Sequence, residues 1–313
     1  MDDLGFLRPV PRNGYRWWYV DALSDDGHHG LTIIAFIGSV FSPWYARARR
    51  RGAGDPMNHC AFNVAIYGPG GRWALAERGR GAVERTAARL RIGPSAVHWD
   101  GRKLVVDIDE IGVPLPRRLR GRVTIDTTAP RDRSYPLDAN GDHRWHPIAP
   151  ASRVDVQFTN PSLAWSGTAY LDSNSGDCAL ENTFRGWDWC RAPLPDGAAA
   201  LLYDTIERDG TTHGVALHVA ADGTTTAFDP PALGALPTTG WRVRRRARSE
   251  APHGAMVVKT LEDTPFYARS LVGTRLFGTE TVAVHESLSM ERFASGWVQR
   301  LLPFRIRKHR SEP

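Results

Sequence analysis

Apolar and polar residues alternate along most of this chain, and the alternating runs meet in pairs at Asp-Gly. Leu104, Val106 and Ile108 fall on one face of such a run, Asp107 and Asp109 on the other; Val154, Val156 and Phe158 alternate likewise with Asp155, Gln157 and Thr159. A period of two marks a half-buried β-strand. Asp-Gly suits the positive φ angles of a tight hairpin turn, and it recurs at Asp26-Gly27, Asp100-Gly101, Asp209-Gly210 and Asp222-Gly223. Strand follows strand with no recurring helix between them. That excludes a doubly wound α/β fold and predicts an all-β chain of antiparallel sheets closed into barrels. The pattern occupies both halves, on either side of the polar, proline-containing stretch 127–142. Two β-barrel domains are therefore expected, 1–150 and 151–313.

One segment has a helical period instead. Met290, Phe293, Trp297, Val298, Leu301 and Leu302 share a face, and Pro303 ends the run, which predicts a short C-terminal helix. It has two readings: packing on its own domain or, with the basic stretch 305–310 behind it, docking on a membrane surface.

Composition narrows the class. With 42% hydrophobic and 24% charged residues, the 313-residue chain has the make-up of a folded protein rather than a disordered one. Its 11 tryptophans suit a large β core or an apolar ligand cavity. Cys60, Cys178 and Cys190 have no paired spacing, and acids occupy the N-terminus where a signal peptide would need bases, so a cytoplasmic protein with reduced thiols is expected. The longest apolar run, 31–41, is too short to span a bilayer as a helix. The net charge of +6 is concentrated at 46–52, 242–249 and 305–310. These clusters are either solvated loops or a basic face for an anionic membrane surface. No nucleic-acid-binding motif accompanies them, and no nucleic-acid partner is expected.

Most chemistries lack their residues. In a strand His143 and His146 point to opposite faces, Pro147 and Pro150 oppose a helix there, and neither a cysteine pair nor HExxH is present, so no metal is expected. There is no GxSxG elbow, and the glycines at 68–71 form a turn, not a phosphate-binding loop. What remains is a matched spacing: His143 and Trp145 stand two apart, as do Tyr170 and Asp172 on a later strand. If both pairs face a barrel interior, they line an aromatic pocket holding a carboxyl, an imidazole and a phenol. Alternatively, Trp145 and Tyr170 are core, His143 is a satisfied buried imidazole, and Asp172 caps a turn at 172–176. The pattern alone leaves both readings open.

Longer stretches carry a resemblance. They include "YVDALSDDGHHGLTIIAFIGSVFSPWYARARRRG" (19–52), "DPMNHCAFNVAIYG" (55–68), "HRWHPIAP" (143–150), "WSGTAYLDSNSGD" (165–177), "LENTFRGWDW" (180–189) and "HESLSMERFASGWVQRLLPFR" (285–305). In these the chain resembles the carotenoid 1,2-hydratases, also called hydroxyneurosporene synthases. The resemblance implies a pair of lipocalin-like β-barrels. It also implies cofactor-free addition of water to the terminal C1=C2 bond of an acyclic carotenoid such as neurosporene or lycopene, with His143, Trp145, Tyr170 and Asp172 as the reacting groups. Asp172 is then expected to protonate C2, desolvation keeping its carboxyl protonated. Trp145 and Tyr170 would shield the C1 cation by cation–π attraction. His143 would take the proton of the attacking water, with Tyr170 orienting that water or relaying its proton. A membrane-dissolved substrate implies peripheral association with the inner, photosynthetic membrane. Two rivals are a non-catalytic isoprenoid or lipid carrier and another cofactor-free, polyene-transforming enzyme on the same scaffold.

Overall fold

The computed structural model of the chain describes residues 4–127 and 133–309; part of the 127–142 stretch and Arg310 of the last basic cluster lie outside them. The chain forms two compact units. One comprises Met1–Ser134, His143–Ala179 and Arg300–Pro313, the other Tyr135–Asp142 and Leu180–Gln299. The main crossing falls at Ala179–Leu180; residue 150 lies inside a long strand, His143–Asn160, of the first unit.

In the first unit, β1 (Tyr15–Ser24), β2 (Gly30–Ile37), β3 (Cys60–Tyr67) and β4 (Arg72–Arg78) form an antiparallel meander, with α1 (Pro43–Arg50) between β2 and β3. A second meander contains β5 (Val83–Arg85), β6 (Arg89–Ile92), β7 (Ser95–Trp99), β8 (Lys103–Ile111) and β9 (Arg118–Asp126). After β10 (Tyr135–Pro136), the strands β11 (His143–Asn160) and β12 (Leu163–Gly176) join the two, giving the order β4-β3-β2-β1-β12-β11-β9-β8-β7-β6-β5. The sheet curls until β4 meets the end of β9: the Arg72 guanidinium donates to the Arg118 carbonyl and to Asn160 Oδ1. One face of the curl packs a single apolar cluster that includes Val20, Ile33, Val64, Val106, Ile125 and Leu171. Its burial explains the alternation seen at 104–109 and 154–159.

The second unit has one sheet in the order β16-β15-β14-β13-β21-β20-β19 and a separate pair, β17–β18. These strands are β13 (Phe184–Pro193), β14 (Ala199–Glu207), β15 (Thr212–Val219), β16 (Thr225–Ala227), β17 (Leu233–Leu236), β18 (Arg245–Arg248), β19 (Met256–Asp263), β20 (Tyr267–Leu276) and β21 (Thr279–Ser289). All four Asp-Gly hairpins are present; Gly101 and Gly210 turn with φ of 93° and 97°, which a side chain would resist. The all-β, antiparallel expectation holds in both units.

Two expectations change. The C-terminal helical segment is split: α2 (Leu180–Thr183) is followed much later by α3 (Met290–Ala294) and α4 (Gly296–Leu301), with Ser295 extended between the last two (φ −65°, ψ 141°). The break separates the expected single face, so Met290, Phe293, Val298 and Leu302 are buried while Trp297 and Leu301 are each 44% exposed. The cluster 242–249 faces solvent only in part, at Arg242 and Arg244. Arg245 is buried and donates to the Pro237 carbonyl, Thr260 and Ser270; Arg246 pairs with Asp188 and Arg248 with Asp204. Exposed cations do remain at Arg47, Arg50 and Arg51, and at Arg300, Arg305 and Lys308. Among the described residues no helix is long and apolar enough to cross a membrane.

Candidate active site

β12 lies between β1 and the first part of β11, and their register arranges side chains in rows. Tyr15, Gly176 and His143 form one row; Trp17, Asn174 and Trp145 the next; Tyr19, Asp172 and Pro147 the third; Asp21 faces Tyr170 in the fourth. All of them stand on the face opposite the apolar cluster, whose members Trp18, Val20, Ala22 and Leu171 alternate with them. The cluster therefore fixes the site. Slipping β12 by one residue would bury Asp172 among the aliphatic side chains and turn Leu171 outward. His143, Trp145, Tyr170 and Asp172 thus share a face, but not the one that packs the apolar interior. His146, opposite Ser173, is on the other face from His143. Residues 172–176 are strand, not turn, and Ser173 and Asn174 are buried within it.

Three of the four residues form one hydrogen-bonded triangle. The Tyr170 hydroxyl donates to Asp172 Oδ2 at 2.8 Å, and the Trp145 indole N–H donates to the same oxygen at 2.9 Å while also reaching the Tyr170 oxygen at 3.0 Å. Trp145 and Tyr170 are fully buried and Asp172 is 4% exposed. Burial holds the Tyr170 phenol well above its ordinary pKa. In this arrangement the Tyr170 hydroxyl is a donor to Asp172.

His143 belongs to a second group. Its Nδ1 lies 2.9 Å from the Tyr15 hydroxyl and its Nε2 3.4 Å from Cys178 Sγ. Tyr15 stacks on Trp17 (centroids 4.8 Å apart), and Tyr19 meets Tyr170 edge-on at 6.1 Å. His143 is thus joined to Tyr15, a residue that the sequence reading did not single out. Sequence reading missed Tyr15, Trp17 and Tyr19, although they carry the same period-two spacing, because the intervening Trp18 and Val20 make the run apolar on both faces. Cys178 gave no sequence signal beyond an unpaired thiol. Among the described residues no three His, Cys, Asp or Glu side chains gather as a metal-binding group.

Comparison with known proteins gives a consistent set of likenesses. A family model described as carotenoid hydratase CrtC matches residues 33–312. The chain is 56% identical over 302 residues to an acyclic carotenoid 1,2-hydratase of Thiocapsa roseopersicina, across 96% of this chain and 74% of that protein. It is 48% identical over 304 residues to an acyclic carotenoid 1,2-hydratase of Rubrivivax gelatinosus, across 96% and 75%. In fold it is similar to the crystal structure of an AttH-class protein from Nitrosomonas europaea, with a TM-score of 0.59 at 16% identity over 90% of this chain and 93% of that one. That last likeness concerns the fold alone, and with the curled sheets it identifies the architecture as lipocalin-like.

Proposed function

Because this chain belongs to the carotenoid hydratase CrtC family, we propose that it adds water across the terminal C1=C2 bond of an acyclic carotenoid, neurosporene or lycopene, leaving a tertiary alcohol at C1. The observation that carries the reading is the buried carboxyl of Asp172 with two donors on one oxygen. Protonation of an unactivated alkene needs a strong acid held at C2, where addition of the proton leaves the more substituted cation at C1. With Oδ2 accepting from Trp145 and Tyr170, the transferable proton sits on Oδ1. As it leaves, negative charge develops on a carboxylate whose Oδ2 already holds two hydrogen bonds. Bonds to a charged acceptor are worth about 1.5–3 kcal/mol, against about 1 for neutral ones. The donors therefore favour the transition state over the ground state, which is the condition for catalysis.

The C1 cation needs stabilisation by groups that do not trap it. The aromatic side chains of this face supply π electrons, worth on the order of 2 kcal/mol for a desolvated cation. Water then attacks C1, and its proton passes to His143, through the Tyr15 hydroxyl that stands 2.9 Å from Nδ1. The reaction is redox-neutral, and water is its only other reactant. A C40 polyene is dissolved in the bilayer, so we assign the enzyme a peripheral contact with an anionic membrane surface. Leu301 and the 72%-exposed Phe304 support this, together with exposed Arg300, Arg305 and Lys308.

The test is incubation of purified protein with lycopene in liposomes, with mass spectrometry for a gain of one water. Wild type is expected to form product and Asp172→Asn none. Product from both would discard Asp172 as the acid. Lycopene binding without product from the wild type would replace the hydratase with a carrier.

A further inference from the structure

Between the acid and the histidine, β12 carries one polar side chain that the scheme above does not use. Asp172, Asn174 and Gly176 follow one another at period two on the same face, so Asn174 occupies the row between the Asp172 triangle and the His143–Tyr15 pair. Two residues of strand span about 6.6 Å, which puts the acid row and the histidine row on the order of 13 Å apart along the backbone. A water held in the intervening row would let a proton released at one end be taken up at the other.

Asn174 is 2% exposed, and its Nδ2 is buried with no hydrogen-bond partner among the described residues. A buried amide donor in that condition is where an ordered water is normally found. Its row neighbours are the indoles of Trp17 and Trp145, and the Trp145 N–H is committed to Asp172 and Tyr170. The far side of the position is kept clear by a glycine. A Cβ on Gly176 would lie 2.6 Å from His143 Nδ1 and 2.3 Å from Tyr15 Cε1, so the Tyr15–His143 pair closes directly over the strand beside Asn174.

Resting on the hydratase reading, we propose that Asn174 holds the attacking water, its Nδ2–H donating to the water oxygen midway between the proton donor and the proton acceptor. In this arrangement Asp172 gives its proton to C2, the π electrons of C1=C2 forming the new C–H bond. The water held by Asn174 then forms the C–O bond to C1 with its second lone pair. One water proton leaves through Tyr15 to His143, and the Asp172 carboxylate is reprotonated from solvent as His143 gives its proton up.

The inference makes a distinction that general damage to the site would not. Without a held water the cation still forms but returns to alkene, losing a proton from C2 or from a C1 methyl group. The experiment is therefore the lycopene liposome assay in D2O, scored for two signals: hydrated product, and unhydrated carotenoid that has gained deuterium or shifted its double bond. Wild type is expected to give mainly hydrated product. Asn174→Ala should lose hydration at least tenfold while the return signal rises, and Asn174→Ser, which keeps a donor, should recover part of the hydration. Asp172→Asn should lose both signals. Thr32→Val serves as a control, since Thr32 Oγ1 is also buried and unpartnered but stands in the Asp21–Tyr170 row, away from His143; it should keep the wild-type ratio. An unchanged ratio in folded Asn174→Ala overturns the inference, as does loss of both signals in that variant at an unchanged melting temperature. Absence of both signals in the wild type would instead overturn the hydratase reading, and this inference with it.

Discussion

Replacing Gly176 with alanine tests the site at its tightest point. The added Cβ would lie 2.3 Å from Tyr15 Cε1 and 2.6 Å from His143 Nδ1. Carbon contacts become comfortable only at about 3.5 Å, so the two rings must retreat by roughly 1 Å each. Neither has space to do so: Tyr15 is 1% exposed and stacked on Trp17, and His143 is fully buried. Overpacking of this kind costs about 1–3 kcal/mol of stability. The effect on rate is expected to be larger, because a misplacement of about 1 Å in a reacting group costs on the order of 10²-fold. The assay is lycopene hydration in liposomes with thermal unfolding in parallel. Gly176→Ala should remain folded and lose about two orders of magnitude in hydration. In a His143→Ala background the same substitution should cost little more, since in the proposed mechanism both changes act through one base. Wild-type activity in Gly176→Ala would refute the reasoning. An undiminished loss in the His143→Ala background would show that Gly176 acts on something other than the histidine.

Two further outcomes follow from other parts of the molecule. In the second unit, burial holds the His285 imidazole below its ordinary pKa, against the opposing pull of Asp188 and of the Arg246 carbonyl 2.7 Å from Nε2. The unfolded chain therefore binds a proton near pH 6.5 that the folded one refuses; stability contributed above that pH is lost as pH falls toward the folded value. Thermal unfolding between pH 7.5 and pH 5 should show this loss, and His285→Gln should flatten it; an identical pH slope in the variant would reject the assignment. At the membrane, a buried Phe is worth about 1.5–3 kcal/mol, so Phe304→Asp should weaken sedimentation with phosphatidylglycerol vesicles by roughly 10- to 100-fold. Unchanged sedimentation would remove this segment from the contact, and binding that survives high salt would remove the electrostatic part.

The fold was legible because its signals are local. Asp-Gly pairs and alternating runs such as 104–109 need only a half-buried sheet to be read, and each reports a hairpin without reference to the rest of the chain. What local signals could not supply was the closure of the first unit. β12 follows the second meander in sequence but pairs back with β1, so β11, the strand at residue 150, is joined through β12 to strands more than a hundred positions earlier. The cluster at 242–249 was legible only in part, for a related reason. A run of arginines looks alike whether solvent or carboxylates receive it, and Asp188 and Asp204, which receive Arg246 and Arg248, lie far away in sequence.

The site was half legible, and the dividing line is burial on two faces. In β11 the pair His143 and Trp145 could be picked out because Arg144 and His146 between them are polar enough to show the period. In β1 the same period is carried by Tyr15, Trp17, Tyr19 and Asp21, yet Trp18, Val20 and Ala22 alternate with them into the apolar cluster, so hydropathy runs flat across the strand. A strand apolar on one face and aromatic on the other cannot be phased by hydrophobicity; only its pairing with β12 does that. The same pairing explains why Asn174 and Gly176 read as a turn. Asp, Ser, Asn and Gly are turn-formers when solvent satisfies them, but here β1 and β11 take up the backbone from both sides and leave the side chains to the site. Polar residues that would ordinarily end a strand are retained within it where they face reacting groups, and that is where a reading by propensity should be expected to fail.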